Sequence, residues 1–307
     1  KLGEESNLMR KYAIPNMRLG ATSFLLHETY VPAVRFAAER CDDVSLLLVE
    51  PGERNEYLAT PGEIVEIGRI IAGERATLHV HLPTDADFDT REGARAMIGK
   101  IRRVAELTGP LDPHSFVLHV DFPSLHGTGG EPSAEQQEWT AEALREIAAC
   151  LPAPERLAVE NLETYAPSFW DRWLAGTPYS RCLDVGHIWK DGGNPAPVLA
   201  AWLPRVRVIH LHGLEPRGSE ADAAKPQGQQ KAPEKLAERN LSRLFGPRPR
   251  DHKSLRLMPP EFVDDVMHPL WKNGFSGVLN LEVFSVEDFT ASHAVLMHSW
   301  ERYAASS

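Results

Sequence analysis

Eight short stretches of the chain read as strands, six of them placing polar and apolar residues on opposite faces, and longer stretches with helical periodicity lie between them. The candidate strands are Arg18–Phe24, Val44–Glu50, Ala76–Leu82, Phe116–Asp121, Leu157–Asn161, Arg181–Asp184, Val206–His212 and Val278–Phe284. Helical spacing runs over Ile64–Ile71, Ala94–Leu107, Glu135–Ala149, Glu261–Trp271 and Glu287–Tyr303. Pro61 opens one helix, and Ser133 with Gln136 has the spacing of a capping box. Strand–helix alternation implies parallel pairing through crossover helices. Eight such units imply an α/β fold, a (β/α)8 TIM barrel, with its active site at the C-terminal strand ends. A doubly wound open sheet is the alternative, but no GxGxxG or Walker-type loop supports nucleotide binding in one. The expected organisation is an N-terminal leader over residues 1–17 and one barrel domain over 18–304. From Gly213 to Arg250 the chain is polar and far longer than an ordinary connection, so a lid-like loop is expected there.

The strand faces carry the chemistry. Strands of a parallel barrel are normally apolar on both faces. Here Val117, His119 and Asp121 share a face, as do His79 and His81. Glu160 shares one with Ala158, Asp184 with Cys182, His210 with His212, and Glu282 with Asn280. Six strands therefore aim His, Asp or Glu the same way near their C-terminal ends. Burying so many ionisable groups unpaired would cost several kcal/mol each. Divalent ions remove that cost, because imidazole and carboxylate are the ligand set of Zn, Mn or Fe. Asp184 and His187, three residues apart, form a compact element, and Asp251-His252 lies just past the long loop.

Composition limits the function. The chain has 307 residues, 42% hydrophobic and 25% charged, as in a soluble globular domain. No apolar run approaches the roughly 18 residues of a membrane span. Three cysteines (Cys41, Cys150, Cys182) show no paired pattern, which indicates a reducing, cytoplasmic setting. A formal charge of −10 disfavours nucleic acid and anionic membranes as partners and leaves a small-molecule substrate. His27, His114, His268, His293 and His298 fall in loops or helices and read as ordinary. His126 adjoins Gly127-Thr128-Gly129-Gly130, a loop able to cradle phosphate. Cys182 is expected to pack inside the barrel, and Glu50 to touch substrate or solvent. Asn161 is expected to orient a ligand or the substrate.

These residues resemble the xylose isomerase-like TIM-barrel superfamily, which includes sugar isomerases, sugar epimerases and endonuclease IV. Matched to the endonuclease IV metal set, the ligands are His81, His119, Glu160, Asp184, His187, His210, His252 and Glu282. Arg250 stands where that set has an Asp, with Asp251 one residue off. The simpler isomerase pattern has Glu, Asp, His and Glu around one metal. The phrases at 19–24 (LGATSF), 80–83 (VHLP), 158–162 (AVENL), 182–187 (CLDVGH), 208–213 (VIHLHG) and 251–255 (DHKSL) are similar to one branch, the cobamide-remodelling hydrolases called CbiR. That resemblance implies a phosphodiesterase-type hydrolase cleaving the phosphoribosyl bond in the nucleotide loop of an adenosylcobamide, with two or three divalent ions. Under it, Glu160 and Glu282 bridge the ions, and His212 is catalytic or contacts substrate. Asn161, Arg250, Lys253 and His79 are the remaining expected substrate contacts. The alternative is a sugar or sugar-phosphate isomerase or epimerase. An abasic-site endonuclease and a non-catalytic corrinoid binder are further readings.

Overall fold

All eight candidate strands close into one parallel barrel in the computed structural model, which describes residues 12–48, 58–216, 245 and 249–306. The barrel strands are β1 (Arg18–Thr22), β2 (Asp43–Leu47), β3 (Thr77–His81), β4 (Phe116–His119), β5 (Leu157–Glu160), β6 (Ser180–Asp184), β7 (Val206–Leu211) and β10 (Val278–Leu281). Neighbours in sequence are neighbours in the sheet, and β10 pairs with both β7 and β1 to close it. A two-stranded antiparallel ribbon, β8 (Gly213–Glu215) with β9 (Arg250–Lys253), stands at the end of β7. It brackets the long polar segment, most of which lies outside the described residues.

The helices are α1 (Tyr30–Ala38), α2 (Pro61–Glu74), α3 (Arg91–Thr108), α4 (Ala134–Ala149), α5 (Pro167–Leu174), α6 (Val185–Lys190), α7 (Pro195–Trp202), α8 (Pro260–Lys272) and α9 (Val286–Ser306). Pro61 opens α2 beside a Thr60–Glu63 capping box, and Ser133 with Gln136 caps α4 as expected. The helices press an apolar face onto the outer strand faces. Leu19, Leu46, Val80, Leu118, Val159, Leu183, Ile209 and Leu279 are buried there. Burying each such large side chain contributes about 1.5–3 kcal/mol.

The other strand face fills the barrel. Val117, Ala158, Cys182 and Val208 form a separate apolar layer inside it. The residues two positions further along these strands are His119, Glu160, Asp184 and His210. The period of two thus carries an apolar plug directly into a polar mouth.

Residues 12–17, assigned to a leader by sequence, are packed. Tyr12, Ile14 and Met17 are buried, and Trp271 and His293 donate hydrogen bonds to the Pro15 and Ala13 carbonyls, both at 2.9 Å. Residues 1–11 and Glu50 lie outside the described residues. Among the described residues no helix is long and apolar enough to cross a membrane.

Candidate metal centre

His210 is the hub of the mouth. Its Nδ1 lies 3.0 Å from Glu282, 3.1 Å from Glu160 and 3.9 Å from Asp184. These residues come from β7, the end of β10, β5 and β6, and all are at least nine-tenths buried. The second oxygen of Glu160 meets His119 Nε2 at 3.1 Å and His81 Nε2 at 3.3 Å. Asp184 Oδ2 is buried without a hydrogen-bond partner. A buried carboxylate oxygen left unpaired is costly unless a cation meets it, so the residues present fit a divalent ion.

Free of a metal ion, the carboxylates and imidazoles of the mouth meet one another's charge. Burial alone would push the Glu160 carboxyl up, but the charges and N–H groups of His210 and His119 hold it well below the usual carboxylate range. Glu282 is likewise pushed up by burial and held low by His210 and His252. Burial disfavours a charged His210, but the Cys182 sulfur and the Glu282 and Glu160 carboxylates raise it well above the ordinary histidine value. The carboxylates carry most of this, because burial keeps Cys182 a thiol.

Local structure explains the Asp184–His187 spacing. Asp184 ends β6 and caps α6, its side chain accepting from the His187 backbone N–H at 2.7 Å. His187 Nδ1 donates to the Asn161 carbonyl at 2.9 Å, which leaves its Nε2 facing Glu163 at 3.4 Å. Asn161 ties the ends of β5 and β6 by donating to the Asp184 carbonyl at 2.8 Å and accepting from its N–H at 2.9 Å. It thereby fixes the backbone of Asp184. Gly186 is required for packing: a Cβ there would lie 2.0 Å from the His212 ring.

Nearer the ribbon, His187, His212 and His252 form a second group that could hold a metal. His252 adopts a left-handed φ of 53° and stacks between His212 and Phe284, with centroids at 4.4 and 5.0 Å. Its backbone N–H donates to His212 Nδ1 at 3.0 Å. A neutral His212 is therefore protonated on Nε2, which faces Asp184 at 3.4 Å. Gly213 lets the ribbon approach, since a Cβ there would meet the Ser254 carbonyl at 2.2 Å. Burial opposes charge on both outer imidazoles. The carboxylates Asp184, Glu163 and Glu160 nevertheless raise His187 to about 9, and Asp251 and Glu282 raise His252 to about 10.

Sequence reasoning missed a clamp on this side. Lys190 pairs with Glu163 at 2.7 Å and with Asp251, and Asp251 faces His252 at 3.4 Å. Burial raises Glu163, but His187 and Lys190 bring it down to about 2. The pattern Asp251-His252 was visible, but its tie to Lys190 crosses 61 residues of chain.

Three expected substrate contacts are placed elsewhere. His79 is fully buried below the mouth, its Nδ1 held by Asp43 at 2.5 Å. Arg250 and Lys253 lie on the ribbon and pair with Glu215, at 3.6 and 3.8 Å. Asp43 and His114 were also missed: His114 Nε2 donates to Asp43 at 2.9 Å, and Thr77 donates to the same carboxylate. His126 bonds Asp121 at 2.7 Å beside the glycine loop. A cavity of about 500 Å3 opens over the centre, lined among others by His81, His119, Glu160, His187, His252, Glu282 and Phe284.

No family profile matches the chain, and no curated protein matches it. Solved structures do. A D-tagatose 3-epimerase-like protein matches with 17% identity and a TM-score of 0.64, over 94% of this chain and 99% of its own. An L-ribulose 3-epimerase matches with 14% identity and a TM-score of 0.62, over 95% and 98%. A xylose isomerase-like TIM-barrel protein from Mycobacterium smegmatis, in complex with magnesium, matches with 12% identity and a TM-score of 0.58, over 92% and 97%. The chain has the xylose isomerase-like TIM-barrel fold.

These matches correct the expected activity. Cleavage of a cobamide phosphodiester is set aside, because the similar structures are sugar epimerases and isomerase-like proteins.

Proposed function

We propose that the chain is a metal-dependent isomerase or epimerase of a sugar or sugar phosphate. The observation that carries this reading is the convergence of Glu160, Asp184 and Glu282 on one nitrogen of His210. Ligand atoms bound 2.0–2.2 Å from one ion lie about 3–3.5 Å apart, close to the spacing of this set. It is the Glu, Asp, His and Glu of the one-metal isomerase pattern. His212 lies outside that set, with its Nδ1 accepting the His252 backbone N–H and its Nε2 facing Asp184 at 3.4 Å. The similar epimerases are named for D-tagatose and L-ribulose, both ketoses, and a cavity of about 500 Å3 suits a molecule of that size.

Moving a stereocentre beside a carbonyl requires a proton to leave one face of the carbon and another to arrive on the opposite face. A divalent ion held by the four residues supplies Lewis-acid polarisation of the carbonyl. Glu160 and Glu282 are the acid–base pair, both buried and brought together from β5 and the end of β10. One, as the carboxylate, takes the proton next to the carbonyl; the other, entering the turnover as the carboxylic acid, gives its proton to the opposite face, so the pair ends with one proton as it began. His81 and His119 fix the orientation of Glu160 through its second oxygen. Leu47, Leu162 and Phe284 supply apolar walls that thin out water around the carboxylates.

The test is solvent exchange. Mn2+-loaded protein incubated with L-ribulose or D-tagatose in D2O is expected to place deuterium on the carbon next to the carbonyl. Glu160→Gln and Glu282→Gln should abolish it. A loaded protein that exchanges neither ketose nor its phosphate ester would overturn the reading.

A further inference from the structure

Beneath the metal centre the barrel interior is polar in a way the mouth chemistry does not use. The Nε2 atoms of His79 and His210, Ser45 Oγ, and both side-chain polar atoms of Asn280 are buried with no hydrogen-bond partner. They are neighbours. Ser45 and His79 are register partners on β2 and β3, and His210 and Asn280 on β7 and β10. The His79 and His210 rings lie 6.2 Å apart, centroid to centroid. Unpaired buried polar groups are rare, and five such atoms inside the barrel call for a physical cause.

The tautomers supply one. His210 turns Nδ1 to the three carboxylates, so a cation there leaves its proton on Nε2. His79 turns Nδ1 to Asp43 at 2.5 Å. Asp43 is fixed as the acceptor by two further donors, His114 and Thr77. A neutral His79 that donates from Nδ1 has its lone pair on Nε2. One ring thus needs an acceptor where its neighbour offers one. Metal-bound histidines nearly always donate their second N–H to such a partner, and losing the partner typically weakens metal binding about 10–100-fold.

We propose that His79, with Ser45 and Asn280 beside it, anchors the Nε2–H of His210 from below, directly or through one ordered water. Asp43 and His114 extend the anchor toward the floor of the barrel. His79 and Asn280 are positioning residues: they fix the tautomer and aim of the metal-binding nitrogen and do not touch substrate. The competing acceptor is the Cys182 thiol, which also faces the His210 ring.

This inference rests on the metal-centre reading, and one experiment separates the two. Zn2+ affinity is measured by chelator competition for the wild-type chain and for His79→Leu, His79→Gln, Asp43→Asn and Cys182→Ala. The anchor predicts Zn2+ binding by the wild type, a 10–100-fold loss in His79→Leu, and recovery of most of that loss in His79→Gln, which keeps an acceptor. Asp43→Asn should lose affinity in the same direction and stands in if His79→Leu does not fold. Imidazole 15N spectra of the Zn2+-loaded chain should show the His210 Nε2–H hydrogen-bonded in the wild type and in His79→Gln but shifted in His79→Leu, a signature that a packing role would not produce. Wild-type affinity in His79→Leu, or a loss in Cys182→Ala in its place, would overturn the anchor alone. A wild type that takes up no Zn2+ would overturn the metal centre and the anchor together.

Discussion

On one side of the mouth three carboxylates from three strands converge on His210; nearer the ribbon, three histidines gather around a Lys190 clamp. The first set holds excess negative charge and an unpaired carboxylate oxygen. The second set brings its own carboxylates, because His187 and Lys190 face Glu163 while Lys190 and His252 face Asp251. Both sets are rich in metal-ligand types. What separates them is the carboxylate content: the His210 set gathers three carboxylates, with Asp184 Oδ2 unmet, whereas the outer set is built from three imidazoles.

The largest expected effect breaks the first side. His210→Gln should lower turnover by about 10³-fold or more, since it removes a metal ligand and unbalances three carboxylates. Steady-state kinetics check it, and a loss below 10-fold would place the centre elsewhere.

A pH scan sharpens the second side. Free of metal, His187 and His252 are raised to about 9 and 10, above the ordinary value near 6.5. Their protonated forms therefore favour the folded state fully below about pH 6.5, and that contribution is lost as pH rises through 9–10. The melting temperature of chelator-treated protein should fall over that range, and His252→Gln should flatten the upper part of the decline. Divalent-ion affinity should move the other way and strengthen with pH, because ligands must shed protons to bind.

The smallest effect concerns the clamp. Lys190→Met should cost about 1–3 kcal/mol of stability, measured by urea unfolding, because Glu163 and Asp251 lose a shared partner in a half-buried site. Arg250→Ala, which removes only a rim pair, should stay within about 0.5 kcal/mol.

The two sides were not equally legible in the sequence. His119, Glu160, Asp184 and His210 could be read because strand period two fixes each one above an apolar interior residue: Val117, Ala158, Cys182 and Val208. All eight barrel strands were legible, with ends such as Asn161, His212 and Phe284 falling just past them. Helices α1, α5, α6 and α7 were missed, being six to nine residues long. In α5, Phe169, Trp170, Trp173 and Leu174 crowd so much apolar surface into eight residues that the helical stripe is too short to stand out. The clamp was not legible, because Glu163, Lys190 and Asp251 meet only through tertiary packing across 27 and 61 residues. Nor was the role of His114, which reads as a loop residue and gains its meaning from Asp43, 71 residues away.

Metal content tests the central claim most directly. After loading with Zn2+ and desalting, the wild-type chain should retain one equivalent. His210→Gln should retain none, and His252→Gln should keep its ion. Two or more tightly held equivalents, or an ion retained by His210→Gln and lost by His252→Gln, would contradict it.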